Sequence, residues 1–134
     1  MIGSREYTNS VAIKNLIFKF IQVYGNELEI VSGEQPKGAD GYVRKHALDL
    51  GAKYVSFPPR HFQWNQYCPN PPYEYGKPYK VWYFHERNTE IVDYSTKFII
   101  FKPKWLSIEK STGSFDVYKK VKKANKFYVI VNGG

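Results

Sequence analysis

Apolar side chains at Ile13, Leu16, Ile17, Phe20, Ile21 and Tyr24 recur every three or four residues, the spacing that gathers them on one side of an α-helix. Thr8, Asn9 or Ser10 supplies a cap at its start, and Gly25 stops it after about four turns. Leu28 to Ser32 has the length and composition of a strand, and Ala39 to Leu50 returns to helical spacing before Gly51 ends it. Lys53 to Phe57 predicts a second such strand. Further on, Phe84 to Tyr94 predicts a helix with Ile91 and Val92 facing inward, and Lys97 to Lys102 a strand built on Phe98-Ile99-Ile100-Phe101. Phe115 to Ala124 predicts another helix and Phe127 to Val131 a last strand. These strands lack the polar alternation of a sheet with one wet face, so they predict parallel strands buried on both faces.

The alternation of strand and helix predicts an α/β chain, one domain over residues 1–134. The expected architecture is a single Rossmann-like three-layer sandwich, about five mostly parallel strands with helices on both faces. The segment 58–80 breaks the pattern. It holds six of the eight prolines together with many aromatic residues, too long and too rigid for a simple connection. It reads as a functional lid, an interface or a mobile loop.

In such sheets ligands bind outside the carboxyl ends of the strands. Three segments fall there and should share one rim: Gly3-Ser4-Arg5 after the short strand Met1-Ile2, the stretch from Ser32 and Gly33 to Gly38 and Asp40, and Lys110-Ser111-Thr112-Gly113-Ser114. In the last, Gly113 lets a backbone approach closely while Ser111, Thr112 and Ser114 bring hydroxyls. The helix that follows turns its free N–H groups and positive dipole end the same way, suiting a phosphate. The plainer reading is a hydroxyl residue that caps the helix. Arg5 and Arg87 offer forked donors for phosphate, and Asn88 reaches a carbonyl, hydroxyl or phosphate oxygen. Arg87 also reads as an ion-pair partner of Glu86 or Glu90. Asp40 accepts from ribose hydroxyls, or else sits at a helix start where an acid favours the dipole. Hydrolysis of a glycosidic bond needs a carboxylate, for which Glu34, Glu86, Glu90 and Asp116 are available, Glu34 first because it projects from a ligand-facing loop.

Composition narrows the classes. A hydrophobic share of 43% with 18% aromatics excludes a disordered chain. No apolar run approaches the roughly 18 residues of a membrane span, and no secretory signal opens the sequence. The single cysteine, Cys68, excludes an internal disulfide framework and fits a cytoplasmic location. His46, His61, His85 and Cys68 lack metal-ligand spacing, so neither a metal nor a cofactor is expected. The net charge of +8 suits an anionic partner, or simply solubility. Lys119, Lys120, Lys122, Lys123 and Lys126 favour a helix C-terminus; with Lys102, Lys104 and the loop aromatics they also form a track for single-stranded nucleic acid. Tyr73, Tyr75, Tyr79, Trp82 and Tyr83 read as packing or a dimer interface, or as a platform for bases.

Taken in order, Gly3-Ser4-Arg5, Ser32-Gly33 with Gly38-Ala39-Asp40, Arg87-Asn88 and Ser111-Thr112-Gly113-Ser114 resemble the motifs of the SLOG superfamily, over nearly the whole chain. That group contains the DNA-processing protein DprA, the Lonely-guy phosphoribohydrolases and small stand-alone proteins, to which residues 75–92 are most similar. The resemblance implies a Rossmann-like sheet, a nucleotide or nucleotide-derived ligand, and a homodimer. The implied roles are sensor, sequestering protein or N-glycosidic hydrolase with Glu34 and Arg87 as its catalytic pair; the alternative is single-stranded nucleic-acid binding as in DprA. The sequence departs from the phosphoribohydrolases at one position. Their catalytic glutamate aligns with Val117, and Asp116 stands about 100° away around the helix.

Overall fold

The computed structural model describes residues 1–33 and 35–133, with Thr112 through its backbone alone. Helix α1 (Ser10–Tyr24) begins where Asn9 Oδ1 accepts from the Ala12 amide at 3.2 Å, and Gly25 closes it. Its Ile13 and Ile17 pack against Val43 and Ala47 of α2 (Ala39–Asp49). Helices α3 (Trp82–Tyr94) and α4 (Thr112–Lys123) bury Ile91, Val92, Val117 and Val121 in a separate cluster. The strands are β1 (Ile2–Gly3), β2 (Glu29–Ser32), β3 (Lys53–Ser56), β4 (Lys97–Lys102) and β5 (Phe127–Asn132).

All strand pairs are parallel, in a three-stranded sheet ordered β1-β4-β5 and a two-stranded sheet of β2 and β3. The chain is thus mixed α/β, as the alternation predicts. At the seam between the sheets the Met1 ammonium donates to the Val31 carbonyl at 2.6 Å. Successive strand residues point to opposite faces. Ile30, Tyr54 and Phe101 accordingly join the cluster of α1 and α2, whereas Val31, Val55 and Ile100 join that of α3 and α4.

Three expectations need correction. The strand β5 is not buried on both faces. Phe127 and Val129 are 63% and 43% exposed, because β5 is the outer strand and its α1-side face meets the core only at Val131. Helix α4 starts at Thr112 rather than Phe115, since the first helical turn makes no intrahelical N–H bond and so tolerates Gly113. Helix α3 likewise begins two residues early, at Trp82. The segment 58–80, read as a lid, an interface or a mobile loop, is tied to the rest of the chain by specific contacts. Pro58 and Pro59 are fully buried, and Arg60 pairs with Glu74, with Glu86 at 3.2 Å and with Glu90 at 2.9 Å. Asn70 Nδ2 adds bonds to Glu90 at 3.1 Å and to the Tyr75 hydroxyl at 3.0 Å.

Candidate functional site

The loop after β1, the loop between β2 and α2, and the segment that leads into α4 meet around one open cavity of about 1040 Å³. Gly3, Ser4, Arg5, Asp40, Arg87, Asn88, Ser111, Gly113 and Ser114 all line it. Ser32, Gly33 and Gly38 do not. Gly33 and Asp40 border a smaller adjoining recess of about 250 Å³. Glu34 lies outside the described residues, and so does the Thr112 side chain.

The anion-suited end of the cavity is the start of α4. Ser111 is its N-cap residue, but its side chain makes no capping bond, so the hydroxyl stays open to the cavity. Ser114, only 4% exposed, also lines the cavity. A Cβ built on Gly113 would meet nothing within 4 Å. The fold itself does not require a glycine there, and the position opens onto the cavity.

The other rim glycines serve the protein's own packing. A Cβ at Gly33 would run into the Arg87 guanidinium and come within 3.1 Å of Asp40 Oδ2. Gly38 has a φ of 72°, a left-handed conformation that costs a side-chain-bearing residue, and it lies against the Ser4 carbonyl. That carbonyl accepts from the Ala39 and Tyr7 amides, while Ser4 Oγ accepts from the Glu6 amide at 3.0 Å. Asp40 Oδ1 accepts from the Gly3 amide at 3.2 Å, tying α2 to β1. Ser32 is wholly buried, and its hydroxyl makes no hydrogen bond among the described residues.

Arg87 and Asn88 are buried on α3 and face the cavity together, with Arg87 Nε donating to Asn88 Oδ1 at 2.9 Å. Glu86 and Glu90, the ion-pair alternatives for Arg87, are taken by Arg60 instead. Burial raises the Glu90 carboxyl above its ordinary value, against the pull of Arg60 and Asn70. The Asn88 amide donates in turn to Asp116 Oδ2 at 3.0 Å. The same oxygen receives Lys120 Nζ at 2.6 Å and His85 Nδ1 at 3.3 Å. Since an ionised carboxylate only accepts, His85 Nδ1 is the donor in this contact. Burial would raise the Asp116 carboxyl, yet the bonds from Lys120, Asn88 and His85 outweigh it and hold it below its usual value. Asp116 therefore stands ionised in the cavity wall, while Val117, 1% exposed, packs in the core beneath.

Aromatic and aliphatic residues line the cavity too. Trp105 and Leu106 come from the loop after β4, and Tyr79 and Val81 lie just before α3. Trp105 went unnoticed in the sequence. Its position just past the carboxyl end of a parallel strand is the signal that places it on the ligand rim.

Several of the basic side chains have internal partners. Lys126 Nζ donates to the Val92 and Ser95 carbonyls at 2.6 and 2.9 Å, closing the end of α3, and Lys102 Nζ donates to the Leu106 carbonyl at 2.9 Å. Lys119 and Lys122 lie over the Phe115 and Tyr118 rings, at 4.8 and 5.1 Å from their centroids. His46 packs within its helix contacts, its Nε2 3.3 Å from Ser10 Oγ, and burial followed by Lys45 and Lys14 lowers its pKa. Among the described residues no group of three His, Cys, Asp or Glu side chains could hold a metal ion, and no helix is long and apolar enough to cross a membrane. In comparisons with known proteins, no family model, no curated protein and no solved structure matches the chain.

Proposed function

We propose that this protein binds a nucleotide or a nucleotide-derived ligand in the large cavity, with a phosphate at the start of α4. The observation that carries the reading is the start of α4 on the cavity wall, where the buried Ser111 and Ser114 lie beside first-turn amides and the open space at Gly113. Helix dipole, amide donors and hydroxyls act there on the same anion. Arg5, Arg87 and Asn88 supply further donors along the wall. The bond from Met1 to Val31 supports reading the two sheets as one Rossmann-like surface ordered β3-β2-β1-β4-β5. Strand order then reverses between β1 and β4, and the loops that leave these two strands flank the cavity. Membership of the SLOG superfamily, with its homodimers, belongs to the same reading.

We read the protein as sensing or sequestering its ligand rather than hydrolysing it, because Val117, packed in the core at 1% exposure, stands where the phosphoribohydrolases carry their catalytic glutamate.

Gly113→Asp tests the site with little risk to the fold. An acid in the first turn suits the helix dipole and meets no neighbour, so melting should be unchanged or slightly higher. Its charge should repel the phosphate and weaken binding of AMP and ADP-ribose, measured by calorimetry, by about tenfold or more. Arg87→Ala should weaken both ligands by a similar factor. Unchanged affinity in the two variants sinks the assignment.

A further inference from the structure

We infer that His85, held by Asp116, is an anion contact of the cavity that meets a bound phosphate as an imidazolium, so that ligand and proton are taken up together. The inference deepens the phosphate site proposed above and rests on it. His85 and Asn88 share one side of α3, and both donate to Asp116 Oδ2, at 3.3 and 3.0 Å. Asp116 sits one turn into α4, which starts at Thr112. All three residues line the cavity together with Ser111, Gly113 and Ser114. The imidazole, its side chain 47% exposed, is thus fastened next to the segment assigned to the phosphate.

The contact fixes what each ring nitrogen can do. Nδ1 faces an ionised carboxylate, so it keeps its proton in either charge state of the ring. Any change of charge then takes place at Nε2. Unprotonated, Nε2 presents a lone pair, which an anionic oxygen avoids; protonated, it donates a charge-assisted bond to one. His85 therefore serves an anion only by binding a proton. A mere tie between α3 and α4 uses Nδ1 alone.

Charged neighbours set the balance at the ring. Asp116 favours the imidazolium, while Lys120, whose Nζ lies 2.6 Å from the same oxygen, and Arg87 of the same helix oppose it. Glu86 is paired with Arg60. The remaining charges on the cavity wall are Arg5, Lys37 and Lys110 against Glu6 and Asp40. A phosphate adds negative charge on the side of Asp116 and so shifts the ring towards its charged form. A group that holds its proton more tightly in the complex takes up protons on binding. Affinity is then greatest below the pKa of the free state and falls as pH rises through that of the complex. Two other groups bear on the same pH range. Burial lowers the Met1 ammonium to about 6, and burial followed by Arg87 lowers His61, whose ring meets Tyr79 and Phe84 of the cavity wall.

The test is calorimetry of ADP-ribose binding from about pH 6 to about pH 8, in buffers of different ionisation enthalpy, with the wild type and His85→Asn. The pyrophosphate of this probe gains no proton there, unlike a phosphomonoester with its second pKa near about 6. The wild type should take up a fraction of a proton on binding, and its affinity should fall several-fold towards the alkaline end. Asparagine keeps a side-chain donor for Asp116 and cannot carry charge. His85→Asn should therefore retain the wild-type melting temperature, lose the proton uptake, and bind about tenfold more weakly at the acid end. Binding without proton uptake in the wild type overturns the inference and leaves the phosphate site standing. Uptake that survives in His85→Asn also overturns it, assigning the proton to Met1 or His61. So does unchanged affinity in that variant, which reduces His85 to a tie between helices. If ADP-ribose binds the wild type at no pH, the phosphate site itself falls, and the inference with it.

Discussion

A Cβ at Gly33 would collide with Arg87, whereas one at Gly113 would meet nothing within 4 Å. The two glycines read alike in the sequence, but the first makes room for a guanidinium of the same chain and the second leaves room for a ligand. Asp116 shows a similar split between identity and use. Its three donors come from α3 and α4, so it joins the helices as well as lining the cavity. Because these bonds hold the folded carboxyl below its ordinary value, the stability it contributes is complete above the unfolded pKa and is lost as pH falls through the folded one. Asp116→Asn should therefore be less stable than wild type at pH 7, with the gap closing in strongly acid solution. Urea midpoints across that range measure it; a gap independent of pH would show that the charge of Asp116 contributes nothing.

Among the elements, α1 was fully legible because Asn9 and Gly25 mark its ends and its apolar period is uninterrupted. The start of α4 was not, since a glycine and hydroxyl residues suit a loop and an uncapped first turn equally well. The lysines in and just after α4 read as a solvated or a nucleic-acid-binding face, and packing gives Lys126 another use. It reaches the last carbonyls of α3, groups that no intrahelical donor satisfies. Lys126→Met keeps the apolar stem and removes the charge-assisted bonds, and should cost about 1–2 kcal/mol in chemical denaturation. A loss no larger than that of Lys123→Met, used as an exposed control, would refute the capping role.

For the molecule as a whole, a net charge of +8 does not by itself make a basic track, and several of the candidate lysines are tied into the fold. Lys102, Lys120 and Lys126 have internal partners, and Lys119 and Lys122 lie over aromatic rings. A single-stranded 20-mer should consequently bind weakly at low salt and give no gel shift at physiological salt, where counterion release drives little association. A shift that persists there would restore the nucleic-acid reading. The outer face of β5, with Phe127 and Val129 exposed, is the part of the sheet where the expectation of full coverage failed. An edge strand and a central strand have the same apolar composition when one face is left uncovered, and periodicity cannot tell them apart.

What the sequence determined by itself is the order and type of the elements, since helical and extended periods are local properties carried by neighbouring side chains. From that order follows the convergence of the loops after β1, β2 and β4, because parallel strands send all their carboxyl ends to one edge. The tertiary structure alone decided how the charged groups pair. Arg60, within the proline-rich segment, takes Glu86 and Glu90, and Arg87 lies on the cavity wall. It also placed Asp116 and Trp105 on the cavity wall, because the rotation of a helix and the reach of a turn depend on contacts between residues far apart in the chain.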